Sequence, residues 1–167
     1  VSDLRSIIQT PFVIVGGIAT RLYMPERMTD DLDILILADN SGRLYGELEQ
    51  AGREWVGELM IGGSSWRLSD GTILNVREFE QAWVAEAIAN PNFSPDGLPV
   101  IGLPYLVLMK LQASRVQDLA DVSRMLGGAD EEMLNSVRSL VGVYLSDASE
   151  DLESLITLGR LEMGDES

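Results

Sequence analysis

Residues 15–37, VGGIATRLYMPERMTDDLDILIL, decide the fold. Phe12, Val13, Ile14 and Val15 lead into them as a continuous apolar run, the mark of a buried strand. Gly16 and Gly17 end that strand, and a helix is expected from Ile18 until Pro25 stops it. Residues 31–37 then read as a second strand. It is apolar on both faces beyond Asp33, so it is expected to be central in a sheet. Alternate strand residues share a face, so Asp31 and Asp33 point one way and Leu32 the other.

This pairing suggests a chemistry. Two carboxylates about 7 Å apart along a strand can converge on one or two hard cations. Mg²⁺ (or Mn²⁺) prefers oxygen ligands and shares its shell with substrate phosphates. A Gly-Gly turn lets the backbone approach a phosphate, and the helix that follows offers N–H groups to it. The spacing matches neither a dinucleotide-binding GxGxxG nor a P-loop.

Outward from this core, residues 3–9 read as a short helix, 38–42 as a turn, 43–51 as a helix and 54–61 as a strand. Gly62 and Gly63 break that strand. With Ser64 and Ser65 they read as a hairpin connection, or as a loop at a site mouth. A hairpin is expected from Trp66 to Val76 around an Asp70-Gly71 turn. Residues 79–89 read as a helix, 90–97 as a loop and 98–101 as a short strand. From Pro104 the period is helical: one long helix, or two broken near Ala113 and Ser114, then helices over 130–144 and 148–161. The expectation is an α/β (α+β) chain, a mixed sheet flanked by helices over residues 1–102 and a C-terminal helical region over 103–167.

Composition narrows the function. The 167 residues contain no cysteine and no histidine, which removes thiolate and imidazole catalysis and His- or Cys-based metal sites. The net charge of −15 disfavours long nucleic acid as a partner and is compatible with a basic protein. From Asp130 onward ten acidic residues face only Arg138 and Arg160, as expected of a solvated helical face. No apolar run is long enough to span a membrane, and residues 11–19 are too short for a signal peptide and follow no basic segment. The absence of cysteine fits a reducing cytoplasm. Trp55, Trp66 and Trp83 read as packing residues, while Arg67 and Arg77, on neighbouring strands, are candidates to face phosphates.

The segment resembles the nucleotidyltransferase superfamily related to DNA polymerase β, and within it the bacterial AbiEii-type group of nucleotidyltransferase or toxin-like proteins. The matching residues are Gly16, Gly17, Arg27, Thr29, Asp31 and Asp33, followed by a Leu-Pro-Val segment at 98–100 and by Lys110, Arg115, Asp118 and Asp121. The resemblance covers roughly residues 12–126. It implies that Asp31 and Asp33 bind the divalent cations of a nucleoside triphosphate. It implies further that the glycines hold its phosphates, aided by Arg27, Thr29, Lys110 and Arg115. An acceptor hydroxyl would then attack the α-phosphate and release pyrophosphate. Asp118 and Asp121 share a helix face and are expected to support rather than react, with Asp118 paired to an arginine.

One departure stands out. Where the family carries a third carboxylate on a later strand, this chain has Asn75. An amide can lend a ligand oxygen but cannot act as a base. Asp70 lies in the turn and Glu78 is out of phase with Asn75, so neither substitutes comfortably. Two functions remain open: metal-dependent transfer of a nucleoside monophosphate to a hydroxyl, or a module that binds nucleotide or a protein without catalysis. A third reading is an unrelated small α/β domain whose paired aspartates are incidental; a strand order that sets the glycine pair and the acidic strand far apart would favour it.

Overall fold

The computed structural model describes residues 4–25, 31–60 and 62–164. The chain divides into two compact units, Val1–Ala19 with Arg27–Ile101, and Thr20–Glu26 with Gly102–Ser167.

The first unit opens with helix α1 (Leu4–Ile7) and strand β1 (Val13–Val15). Gly16, at φ +70°, turns the chain directly into α2 (Gly16–Tyr23), so the glycines begin the helix instead of preceding it. After β2 (Leu32–Leu37) a 3₁₀ turn at Ala38–Asn40 leads into α3 (Ser41–Gln50), two residues earlier than the periodicity suggested. Strands β3 (Glu54–Glu58), β4 (Gly63–Arg67) and β5 (Ile73–Phe79) form a meander. Phe79 closes β5 because its pairing with Leu37 keeps the ladder intact that far, so α4 starts only at Ala82 and runs to Ala89. The expected loop contains β6 (Asn92–Phe93), a short edge strand paired with β7 (Pro99–Val100).

Among the described residues, seven strands form one mixed sheet in the order β3-β4-β5-β2-β1-β7-β6. β2 is central and buried along Ile34, Leu35 and Ile36, as its two-faced apolarity requires. It runs antiparallel to β1 and parallel to β5. Residues directly opposed in a ladder share a face. One face therefore carries Leu74, Val76, Glu78 and Trp66, and α3 covers it: Tyr45 packs on Trp66, with ring centroids 5.6 Å apart, and donates its hydroxyl to Glu78. The other face carries Asp33, Asn75, Arg77 and Ser65. Gly63 and Ser65, expected in a connection, are strand residues, and a Cβ on Gly63 would lie 1.9 Å from the Val76 carbonyl oxygen.

In the second unit the long helical stretch is two helices, α5 (Leu103–Ala113) and α6 (Val116–Gly127). Ser114 takes the left-handed conformation at φ 53° and Arg115 is extended, which stops one helix and starts the next. α7 (Glu131–Tyr144) starts at Asp130, whose carboxylate accepts the Met133 N–H at 2.8 Å. A 3₁₀ turn at Ser146–Ala148 precedes α8 (Ser149–Glu162). Val107, Val122, Leu126, Leu134, Val137 and Leu152 are buried in this unit. Helices α6 and α8 meet through Gly127 and Gly159. A Cβ on Gly159 would lie 1.9 Å from the Ser123 carbonyl oxygen, a backbone atom with little room to yield. Gly159→Ala is expected to destabilise the protein by about 1–3 kcal/mol through overpacking. A thermal melt would show it, and an unchanged melting temperature would refute the close crossing.

Candidate active site

The antiparallel register pairs Val15 with Asp33, so the β1–α2 turn lands on the acidic strand. The contact is tight. A Cβ on Gly16 would lie 2.2 Å from Asp33 Oδ2, and the positive φ of Gly16 independently disfavours any side chain. Glycine at 16 is thus demanded twice, by backbone conformation and by the carboxylate beside it. A strand order separating these two features would have favoured the unrelated-domain reading, and β1 and β2 are neighbours.

Across β2 the row continues. Asn75 is directly opposite Asp33 and donates Nδ2–H to Asp33 Oδ1 at 2.7 Å. Ser65 is directly opposite Asn75 and donates its hydroxyl to Asn75 Oδ1 at 2.6 Å. Ser65 was not identified from sequence as a site residue. The meander register places it here; the sequence signals were the reading of residues 62–65 as a possible loop at a site mouth and its even distance from Arg67 along a strand.

Burial pushes the Asp33 carboxyl above its ordinary value; the Asn75 hydrogen bond and the nearby Arg77 pull it down, and the charge of Asp31 adds to the rise. Asp31 lies just before β2 and is exposed. Arg77 shares the face of Asn75 one pair further along, while Arg67 forms an ion pair with Glu54 at 3.4 Å. Neither suggested substitute for the third carboxylate joins the row. Glu78 points to the opposite face and accepts the Tyr45 hydroxyl. Asp70 accepts the Thr72 N–H at 2.9 Å within its own turn. Among the described residues, no three metal-ligating side chains converge. Arg27 and Thr29 lie outside the described residues.

The residues present fit a cation in part. Asp33 on β2 and Asp31 just before it are hard oxygen donors, and the raised pKa of Asp33 reflects a burial and like-charge penalty that a cation would relieve. The closeness of the Gly16 backbone to Asp33 would exclude any bulkier residue from that edge. The position opposite Asp33, by contrast, presents N–H instead of a ligand oxygen.

The second unit holds the remaining predicted residues as a cluster of their own. Lys110 Nζ is 3.1 Å from Asp121 Oδ2 and 3.7 Å from Asp118 Oδ1, with all three side chains buried. Arg115 Nε lies 2.7 Å from Asp118 Oδ2, and the Arg115 backbone N–H donates to that same oxygen at 3.3 Å, capping α6. Gln117 donates to Asp121 Oδ1 at 2.8 Å. The ammonium that the resemblance assigns to phosphate is thus held by two carboxylates.

No protein-family model and no curated protein matches the chain. Among solved structures, the solution structure of the antibiotic-resistance factor ANT(2'')-Ia is similar at 19% identity and a TM-score of 0.47, over 98% of this chain and 88% of that one. The crystal structure of ANT(2'')-Ia in complex with adenylyl-2''-tobramycin gives 19% identity and 0.49, over 98% and 92%. The lincomycin-bound lincosamide antibiotic adenylyltransferase LnuA gives 12% and 0.44, over 84% and 92%. The chemistry rests on the side chains themselves. Among the described residues no helix is long and apolar enough to cross a membrane.

Proposed function

We propose that the protein is a nucleotidyltransferase that moves a nucleoside monophosphate from a Mg²⁺-bound nucleoside triphosphate to a hydroxyl acceptor. The observation that carries this reading is the contact of Gly16 with Asp33, which brings a glycine turn at a helix start against a strand carboxylate. The narrower likeness to the AbiEii-type group is part of the proposal and rests on the residues named in the sequence.

Asp31 and Asp33 would hold the cation, whose chemistry there is to neutralise charge on the triphosphate. The acceptor oxygen bonds to the α-phosphorus, the bond to the β-phosphate oxygen breaks, and pyrophosphate leaves with the electron pair. The acceptor must also lose its proton. Asn75 has no basic atom at its amide nitrogen, so among the described residues Asp33 and the neighbouring Asp31 are the carboxylates to take that proton. Arg77 supplies positive charge on the same face.

Asn75 favours a second reading, a module that binds nucleotide without transferring it, because the row lacks a third carboxylate. Either reading requires binding. Calorimetric titration with the four nucleoside triphosphates and Mg²⁺ is expected to show micromolar affinity for at least one. The Asp31→Asn/Asp33→Asn double variant is expected to abolish it. A folded native chain that binds none of the four sinks both nucleotide readings.

The same variants carry a stability signature. A carboxyl whose folded pKa is raised holds its proton to higher pH than the unfolded chain does. Stability therefore falls as pH rises from the unfolded value of Asp33 through its folded one, and the penalty persists at neutral pH. Asp33→Asn removes that charge and retains an acceptor for Asn75. Its melting temperature at pH 7 is expected to equal or exceed that of the native chain.

A further inference from the structure

We infer that Ser65 fixes the orientation of the Asn75 amide, and that this orientation limits the Asp31/Asp33 pair to a single divalent cation; the second half rests on the cation reading proposed above. A carboxylate can only accept hydrogen bonds, so at 2.7 Å from Asp33 Oδ1 the Asn75 amide must present its nitrogen there. Its carbonyl then faces β4. Ser65 Oγ, 2.6 Å away, is the hydroxyl that donates to it. Both contacts run between directly opposed ladder residues, so the backbone holds all three side chains in line. With both amide ends engaged, reversing the amide would break two hydrogen bonds and set its carbonyl against a carboxylate.

The consequence for a cation is direct. An N–H₂ group has no lone pair to ligate with, and its protons are partially positive. The strand position opposite Asp33 thus repels a cation, and one lone pair of Asp33 Oδ1 is already engaged. Two ions about 4 Å apart need shared anionic ligands between them. Among the described residues, Asp33 and the neighbouring Asp31 supply two carboxylates here, enough to balance one divalent charge and not two. Ser65→Ala removes the anchor, freeing the amide to turn its oxygen toward a bound ion.

The test uses the full chain and Mn²⁺ alone, titrated by electron paramagnetic resonance, together with hydrogen exchange of the Asn75 side-chain amide by NMR. The native chain is expected to bind one Mn²⁺, and Asn75→Asp is expected to bind two. Ser65→Ala is expected to speed exchange of the amide about fivefold, as loss of one hydrogen bond would, and to tighten Mn²⁺ binding. Ser65→Thr, which keeps the hydroxyl, is expected to match the native chain in both. Two ions on the native chain overturn the single-cation limit. Unchanged exchange and Mn²⁺ affinity in Ser65→Ala overturn the role of Ser65. No Mn²⁺ on the native chain overturns the cation reading itself, and with it the limit of one, while amide exchange still decides whether Ser65 orients Asn75.

Discussion

Replacing Lys110 with alanine is expected to lower stability by about 3–5 kcal/mol, the typical effect of leaving a buried charge without its partner. Lys110 is 8% exposed and Asp121 is fully buried, and the ammonium lies within 4 Å of both Asp118 and Asp121. Without it two buried carboxylates face each other. Arg115 still neutralises Asp118 from the surface side, and the Gln117 amide still donates to Asp121. Urea unfolding followed by circular dichroism measures the loss. The control is Lys110→Met/Asp121→Asn, which removes both charges at nearly constant volume and is expected to recover much of the stability. A single variant within about 1 kcal/mol of native would mean that water or rearrangement rescues the carboxylates. A structural role of this strength also bears on function: any phosphate contact by Lys110 would compete with two carboxylates.

Gly16→Ala is expected to damage stability and binding together. A non-glycine residue in the left-handed region costs about 1–3 kcal/mol where the surroundings hold it there. The new methyl group would also lie 2.2 Å from Asp33 Oδ2, so the carboxylate must leave its place in the row. Nucleotide affinity is therefore expected to fall at least about tenfold, equivalent to 1.4 kcal/mol. Gly46→Ala is the matched control. It lies inside α3 with nothing within 4 Å of the added methyl, and helix propensity predicts a gain of up to about 1 kcal/mol. Calorimetry and thermal melts on the two variants separate a local clash from general sensitivity to substitution. Native-like binding in Gly16→Ala would show that the glycine turn and Asp33 do not act as one site.

Much of this was legible in residue order. The apolar runs became the buried strands Val13–Val15 and, beyond Asp33, Ile34–Ile36 of β2, because their side chains leave no polar face to turn to water. Alternation alone put Asp33 on the face opposite that of the buried Leu32 and Ile34. Helical periodicity placed α5 to α8 to within a few residues, since each buries a stripe repeating every three or four positions. The sequence left open whether residues 103–127 formed one helix or two. The left-handed Ser114 and the Arg115–Asp118 cap made them two.

The site itself depended on register, and register is where local reading stopped. A two-residue Asp70-Gly71 turn would have set Asn75 opposite Trp66. The chain instead uses a three-residue loop over 69–71, closed by Gly71 at φ +86°, with Leu68 N–H donating to Thr72 O. That single extra residue shifts the pairing by one, and a shift of one exchanges the faces of a strand. It puts Ser65 opposite Asn75 and leaves Trp66 to pack beneath Tyr45. Residue order alone determined most of the strands and helices to within a few residues, because those follow from periodicity within a segment. Only the tertiary structure decided that Gly16, Asp33, Asn75 and Ser65 form one row, because that requires four strands paired in one particular register, and pairing energy between strands is not written in any of them singly.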